Sequence, residues 1–518
     1  MSRIADWPLH PFLAAAYPVL ALWAANVGQL VPVEDVLASL AVALGGTGVA
    51  LLLLRFLLRH TARAALVSTL VVTLFFSYGY AWNGIRSVLP PELANHAVLL
   101  AAWVAIALVG AAVVVRWQPA PALTAPLNVA GTILLAMSLV PLGLHAAARQ
   151  PTAGSPDQDP VASSAVGRTT RDIYWIIMDR YGSASVLEEA YGFDNGPFLD
   201  ALRDRGFYVA EDATANYLKT ALSLVSSRDM AYVDTDALRG EATSDDDWAP
   251  VHDRLDGSFE VQRQLSARGY RFAYLGSYWA PTGRNAAADL NLRYESAASE
   301  FHSALADTTA LRGLSGPLDP RRILWEITRF QFDAFERVAA LEGPTFVHAH
   351  IGLPHDPFVF RADGSYQPEE ETLGRRYEDM FVDHLRFANA ELLRIVDRLL
   401  DVPDEEQPII VIQADEGPFP QRYREESPSF VWPEATDAEL REKFGILNAF
   451  HLPGVDAQDA GLYPAISSVN TFRVILNAYH GTDLPLLPDR NLVFAAPGNN
   501  YELVDLTGRV RAAMDAAP

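Results

Sequence analysis

The sequence predicts a membrane region of five helices followed by one α/β domain with a mostly parallel central sheet. Three observations predict it. Apolar segments of spanning length occur near residues 10–28, 36–58, 63–83, 95–115 and 124–145. The charged residues, 20% of the chain with a net charge of -23, are almost absent between residues 10 and 145. Beyond residue 170, short apolar runs alternate with helical patterns, which implies parallel βαβ units. The expected organisation is a transmembrane region over 1–145, a linker over 146–170 and one extracytoplasmic domain over 171–518.

The first apolar segment is interrupted by Pro18; the other four are cleaner. A signal peptide mimics one such segment but not five. Arg3, Arg55, Arg59, Arg63 and Arg116 fall on one side of the spans, and only Arg86 and Arg149 on the other. The positive-inside rule then places the N-terminus in the cytoplasm and everything after residue 145 outside. No Lys, Arg, Asp or Glu sits centrally in a span, so an ion pathway is not indicated. An anchor that also presents a lipid is the expected role. Residues 146–170, rich in Ala, Pro, Ser, Gly and Asp without periodicity, read as a linker.

Composition excludes several classes of function. There is no cysteine, hence no disulfide, thiolate metal site or cysteine nucleophile. An acidic domain is a poor partner for nucleic acid, which needs clustered Lys and Arg.

Two strand-like runs organise the soluble half. Residues 408–414 are apolar and end in Asp415, Glu416 and a strand-breaking Gly417-Pro418. Residues 172–178 are apolar and end in Asp179, Arg180, Tyr181 and Gly182. Ligands of open α/β sheets bind at the carboxyl ends of such strands. Carboxylates delivered there by two strands suit a hard cation, although an acid after a strand also serves as a helix cap.

Between these runs, residues 198–206 read as a helix ending in glycine and 207–210 as a short strand. Thr220 follows, at the start of a helical pattern. Helix N-terminal N–H groups beside it suit an oxyanion or phosphoryl group. A metal can lower a hydroxyl pKa enough to make it a nucleophile, while a plain cap is the simpler role. A helix over 261–268, a strand over 271–276, a helix over 325–345, a strand over 345–352 and a helix over 377–400 complete the alternation. By period two, His348 and His350 share one face of the 345–352 strand. Histidine suits acid–base work near neutral pH, and a hydrogen-bonded core histidine is the alternative. His451 stands at a late strand end, and Arg180 beside Asp179 is suited to orienting an anionic substrate.

In order, Asp179, Lys219-Thr220-Ala221-Leu222-Ser223, the segment 348–358 with His348, His350 and His355-Asp356-Pro357, and Asp415-Glu416-Gly417 resemble the alkaline phosphatase/sulfatase superfamily. Within it they resemble the membrane-anchored branch of lipoteichoic acid synthases, phosphoethanolamine transferases and phosphoglycerol transferases. The closing segment, 464–490, is similar to that of bacterial sulfatase-like proteins. The resemblance covers about 170–495, and the membrane half matches in architecture only.

The resemblance implies a metal held by Asp179, Thr220, Asp415 and Glu416, with Thr220 as nucleophile. It implies His355 and His350 as catalytic histidines, and Lys219, Arg180 and His451 as substrate contacts. It further implies a bacterial cytoplasmic (inner) membrane location, with a membrane lipid or envelope glycan as substrate. Two departures matter. The family's usual Asp-His pair is Asp415-Glu416 here, an all-oxygen set that favours one Mn, Mg or Ca ion over Zn, or else a loss of metal binding. No Cys/Ser-x-Pro-x-Arg context exists for a formylglycine sulfatase. The reading is therefore a membrane-anchored, metal-dependent phosphoryl-group transferase. A sulfatase-like hydrolase using water and an inactive envelope-binding relative are the alternatives.

Overall fold

The structure is a computed structural model and describes residues 7–26, 31–86, 88, 95–116, 120–148, 171–295, 299–313 and 319–516. The expected linker lies outside these residues, apart from 146–148, which belong to a helix. Two compact units form, Met1–Pro151 with Ser296–Ile323, and Thr152–Glu295 with Leu324–Pro518.

The helical unit contains α1 (His10–Ala25), α2 (Val33–Leu58), α3 (Thr61–Arg86), α4 (His96–Arg116) and α5 (Thr124–Ala148). Among the described residues, four helices are long and apolar enough to cross a membrane, α2 to α5. The first is the exception to the five expected: at 16 residues, α1 rises only about 24 Å against a hydrocarbon core of about 30 Å. Polar side chains serve the bundle's own backbone. Asn128 Oδ1 accepts from the N–H groups of Leu9 and His10 at 3.1 and 2.8 Å, capping α1 from α5. Tyr78 of α3 meets His96 Nδ1 at 2.9 Å, and the His96 ring stacks on Trp82 at 3.7 Å. Residues 299–313 also belong to this unit, as a helix Glu300–Thr308 and a tighter turn Ala310–Gly313.

The second unit is built on a seven-stranded sheet: β1 (Ile173–Asp179), β2 (Phe207–Val209), β3 (Arg271–Leu275), β4 (Leu290–Leu292), β5 (Thr345–Pro354), β6 (Ile409–Ala414) and β7 (Asn448–His451). The order is β2-β7-β6-β1-β5-β3-β4, and β7 runs opposite to the other six strands. Every residue of β1, β5 and β6 is buried, which accounts for their continuous apolar runs: a parallel sheet covered on both faces has no solvent side to alternate with. The helices that bear on the site are α6 (Thr220–Asp229), α7 (Pro320–Val338), α8 (Tyr377–Leu400), α9 (Asp437–Phe444) and α10 (Thr471–His480).

Register sets the rim. Met178 pairs with Ala414 and Ile177 with His350, so β1 and β6 end level and His350 lies within β5 just below them. The closing segment frames the stretch before α6. Asn216 Oδ1 accepts from Val469 N–H at 3.0 Å, its Nδ2 donates to Arg490 O at 2.9 Å, and Leu492 N–H donates to Asn216 O. Asp489 ties that segment together by accepting from Ser467 Oγ at 2.6 Å and Tyr463 OH at 2.8 Å.

Close backbone approach makes Gly276, just after β3, a sensitive position. A Cβ there would meet Gly283 O at 2.1 Å. Gly276→Ala is expected to destabilise the α/β unit by about 1–3 kcal/mol, read as a lowered thermal midpoint of the detergent-solubilised protein.

Candidate functional site

Three buried side chains meet at the sheet's carboxyl rim: Asp179 ends β1, Asp415 follows β6 and His350 points from β5. His350 Nε2 stands 3.9 Å from Asp179 Oδ2 and 3.7 Å from Asp415 Oδ2. One nitrogen and two carboxylate oxygens thus lie within 4.8 Å of one another.

The surroundings orient each group inward. His350 Nδ1 is 3.1 Å from the Thr282 hydroxyl, and Gln331 Nε2 donates to His350 O at 2.8 Å. A proton on Nδ1 donated to Thr282 leaves the Nε2 lone pair for the cluster. Asp415 Oδ1 accepts from the N–H groups of Glu416 and Arg180 at 2.7 and 3.2 Å. That leaves Asp415 Oδ2, Asp179 Oδ1 and His350 Nε2 buried without a hydrogen-bond partner. Buried polar atoms without partners on all three residues of the cluster fit a divalent cation, and an O,O,N donor set is one such ions take.

Electrostatics divides the two carboxylates. Burial, then the neighbouring Asp415 charge, pushes the Asp179 carboxyl well above the usual range. Burial also raises Asp415, but the nearby His350 and the hydrogen bond from the Thr220 hydroxyl outweigh it and hold this carboxyl below its ordinary value. Thr220, first residue of α6, is therefore beside the cluster. It follows Lys219, whose extended backbone begins the helix.

Glu416, next in the chain after Asp415, is held by two cations. Its Oε1 sits 3.2 Å from Arg180 Nε and 3.1 Å from Lys443 Nζ, and its Oε2 is buried without a partner. Arg180 has φ 64°, a left-handed conformation that turns its side chain sharply out of β1. Its other arm reaches Asp356 Oδ1 at 3.1 Å. Lys219 Nζ donates to Tyr423 OH at 3.0 Å. Arg180, Lys219 and Lys443 surround the Phe419 ring, at 4.3, 4.3 and 3.6 Å from its centre. Burial drops the Lys443 ammonium to about 7 despite Glu416.

His355 lies on the loop after β5, in contact with the carbonyl of Asp356. Burial and then Arg180 push its imidazole down to about 3. His348 is instead a core residue. Its Nε2 accepts from Arg228 at 3.0 Å, and its ring stacks on Tyr274 at 4.9 Å. His451 is not brought to the site. Antiparallel β7 pairs it with Ile410, near the opposite end of β6, and its Nδ1 is 3.0 Å from Pro408 O.

Sequence reasoning missed Thr282, Phe419, Tyr423 and Lys443, and gave no role to Asp356. The stretch around Lys443 carries alternating charges that read as a solvated helix face. Only the third dimension buries that ammonium. Gly417 is the one local signal: a Cβ there would meet Glu442 O at 2.4 Å, so glycine admits the end of α9 against the Asp415 loop.

No family model matches the chain, and no curated protein matches it. Solved structures do. The integral membrane protein lipooligosaccharide phosphoethanolamine transferase A from Neisseria meningitidis is 12% identical with a TM-score of 0.39, over 92% of this chain and 95% of that one. The soluble domain of the same transferase gives 12% and 0.41, over 62% and 90%. A protein in the alkaline phosphatase superfamily from Vibrio parahaemolyticus gives 13% and 0.41, over 72% and 93%.

The buried ion pair yields a double-mutant prediction. Lys443→Met leaves Glu416 with Arg180 alone and is expected to cost about 3–5 kcal/mol. Glu416→Gln in the same chain should recover part of that loss, because it removes a buried carboxylate that Lys443 no longer helps to neutralise. Thermal midpoints of the four proteins of the cycle check it.

Proposed function

We propose that the chain is a membrane-anchored, metal-dependent phosphoryl-group transferase, with Thr220 as its nucleophile and a lipid or glycan of the cell envelope as substrate. The observation that carries this reading is the convergence of orphaned donor atoms from Asp179, His350 and Asp415 beside the Thr220 hydroxyl. Asp179, His350 and Asp415 hold the cation, with Thr220 Oγ as a further oxygen. A divalent ion bound there supplies Lewis-acid stabilisation of charge on the phosphoryl oxygens and on the threonine oxygen.

The preference for Mn, Mg or Ca rested on Glu416 as an oxygen ligand. With Glu416 engaged by Arg180 and Lys443, the imidazole of His350 completes the set instead, and Zn or Mn suits that mixture.

The chain's own groups then divide the work. Thr220 Oγ attacks phosphorus, the Oγ–P bond forms and the bond to the leaving oxygen breaks. The hydroxyl proton passes to the nearby Asp415 carboxylate and from there to the leaving oxygen as its bond to phosphorus breaks. N–H groups of the first turn of α6 and the Arg180 and Lys219 cations stabilise the phosphoryl oxygens. His355, kept neutral at ordinary pH, contacts the leaving oxygen. An acceptor hydroxyl then attacks the phosphothreonine and restores Thr220. The helical unit is the membrane anchor, with the α/β unit outside the cytoplasm, and holding the site near a lipid donor raises its effective concentration.

Metal analysis of the full-length protein in detergent tests the first half. About one ion per chain is expected, lost in Asp179→Asn and Asp415→Asn and kept in Glu416→Gln. His350→Ala should weaken binding by more than the ~10–100-fold typical of a supporting residue. Absence of metal under loading conditions would sink the reading. The second half is tested with a phospholipid labelled in its headgroup phosphate: label should remain on the wild-type protein after denaturation, and none on Thr220→Ala. Release of headgroup only to water, with added glycans unmodified, would point to a hydrolase.

A further inference from the structure

Residues 299–313 stand out because they fall in Ser296–Ile323, a stretch of the helical unit flanked in the chain on both sides by the α/β unit. Their helix Glu300–Thr308 packs against α1, α2 and α3, and the turn Ala310–Gly313 packs against α3 and α4. Phe301, 6% exposed, closes a cluster with Val19 of α1 and Val36 of α2. Leu305 packs on Ala15, Val72 and Phe76, near the middle of α1 and α3. Beyond it the segment turns back, and Arg312 donates to Asn83 Oδ1 at 3.1 Å, near the end of α3.

Backbone chemistry fits this depth. A helix of nine residues cannot span a bilayer, and inside one its unpaired end groups must find partners. Ser299 and His302 form a reciprocal cap at its start. At its end, the hydroxyls of Thr308 and Thr309 donate to Leu305 O and Ala306 O at 2.7 and 2.8 Å. The receiving surface is equally particular. A Cβ on Gly79 of α3 would stand 2.0 Å from Asp307 O, so glycine lets the two backbones touch, as at helix contacts in membranes.

We propose that residues 299–313 are a re-entrant anchor: a segment that dips into the cleft between α1, α2 and α3 and returns, holding the α/β unit to the membrane independently of the 146–170 linker. This rests on the helical unit being membrane-embedded and not on the chemistry proposed above. The catalytic part of the chain is accordingly an integral membrane component in its own right.

Cutting the linker tests it. A protease site is placed at residue 160 of the full-length protein, and membranes are cleaved and washed with alkaline carbonate. The fragment beginning there should stay in the pellet, and Phe301→Asp with Leu305→Asp should release most of it to the wash. Wild-type fragment washed off as completely as the double variant would overturn the proposal. Because the chain has no cysteine, Leu305→Cys supplies a single thiol as a second readout that needs no disruptive substitution. It should resist a membrane-impermeant maleimide until the protein is denatured, while the exposed Asp236→Cys reacts at once. Equal rates at the two positions would also overturn it.

Discussion

Two carboxylates buried side by side impose a cost that the rest of the α/β unit is arranged to meet. Asp179 and Asp415 are brought level by the pairing of β1 with β6, and in a low-dielectric rim their repulsion amounts to several kcal/mol without compensation. Two N–H groups bind one oxygen of Asp415, His350 sits between the pair, and the Thr220 hydroxyl lies close enough to help hold the Asp415 carboxyl low. Asp179 responds by holding its proton more tightly than a free carboxyl does. A cation bound as proposed would remove the same repulsion.

A second balance surrounds the first. Arg180, Lys219 and Lys443 bring positive charge to Phe419, and Glu416 and Asp356 bring the negative charge that keeps two of these cations in place. Glu416 shares one oxygen between Arg180 and Lys443, which makes it the counter-ion of the rim. That arrangement keeps the guanidinium beside the cluster without letting it fold onto Asp179, from which its Nε stays 4.0 Å away.

Much of this was readable in the sequence, and the failures have physical causes. The runs ending at Asp179 and Asp415 announced themselves because strands buried on both faces are continuously apolar, and the helix over 377–400 was recovered as α8 with the same bounds. His350 was singled out by alternation with His348, yet alternation cannot separate them: one meets Arg228 and Tyr274 in the core, the other faces two carboxylates. His451 looked like a rim residue because it ends a strand; β7 runs the other way, so its end lies at the opposite edge. Strand direction is a tertiary property that no local pattern carries. The five spans were read from apolar length alone, which does not reveal that α1 is short or that 299–313 joins the bundle.

The frame around Asn216 has a consequence for the order of assembly. Its partners at Val469, Arg490 and Leu492 come more than 250 positions later in the chain. A ribosome makes the carboxylates and His350 well before those partners exist. Threaded outward from its N-terminus, the chain therefore completes the Asp179, His350 and Asp415 cluster first and steadies the stretch before Thr220 last. A truncated or half-exported chain thus has the Asp179, His350 and Asp415 cluster before the stretch ahead of Thr220 is framed.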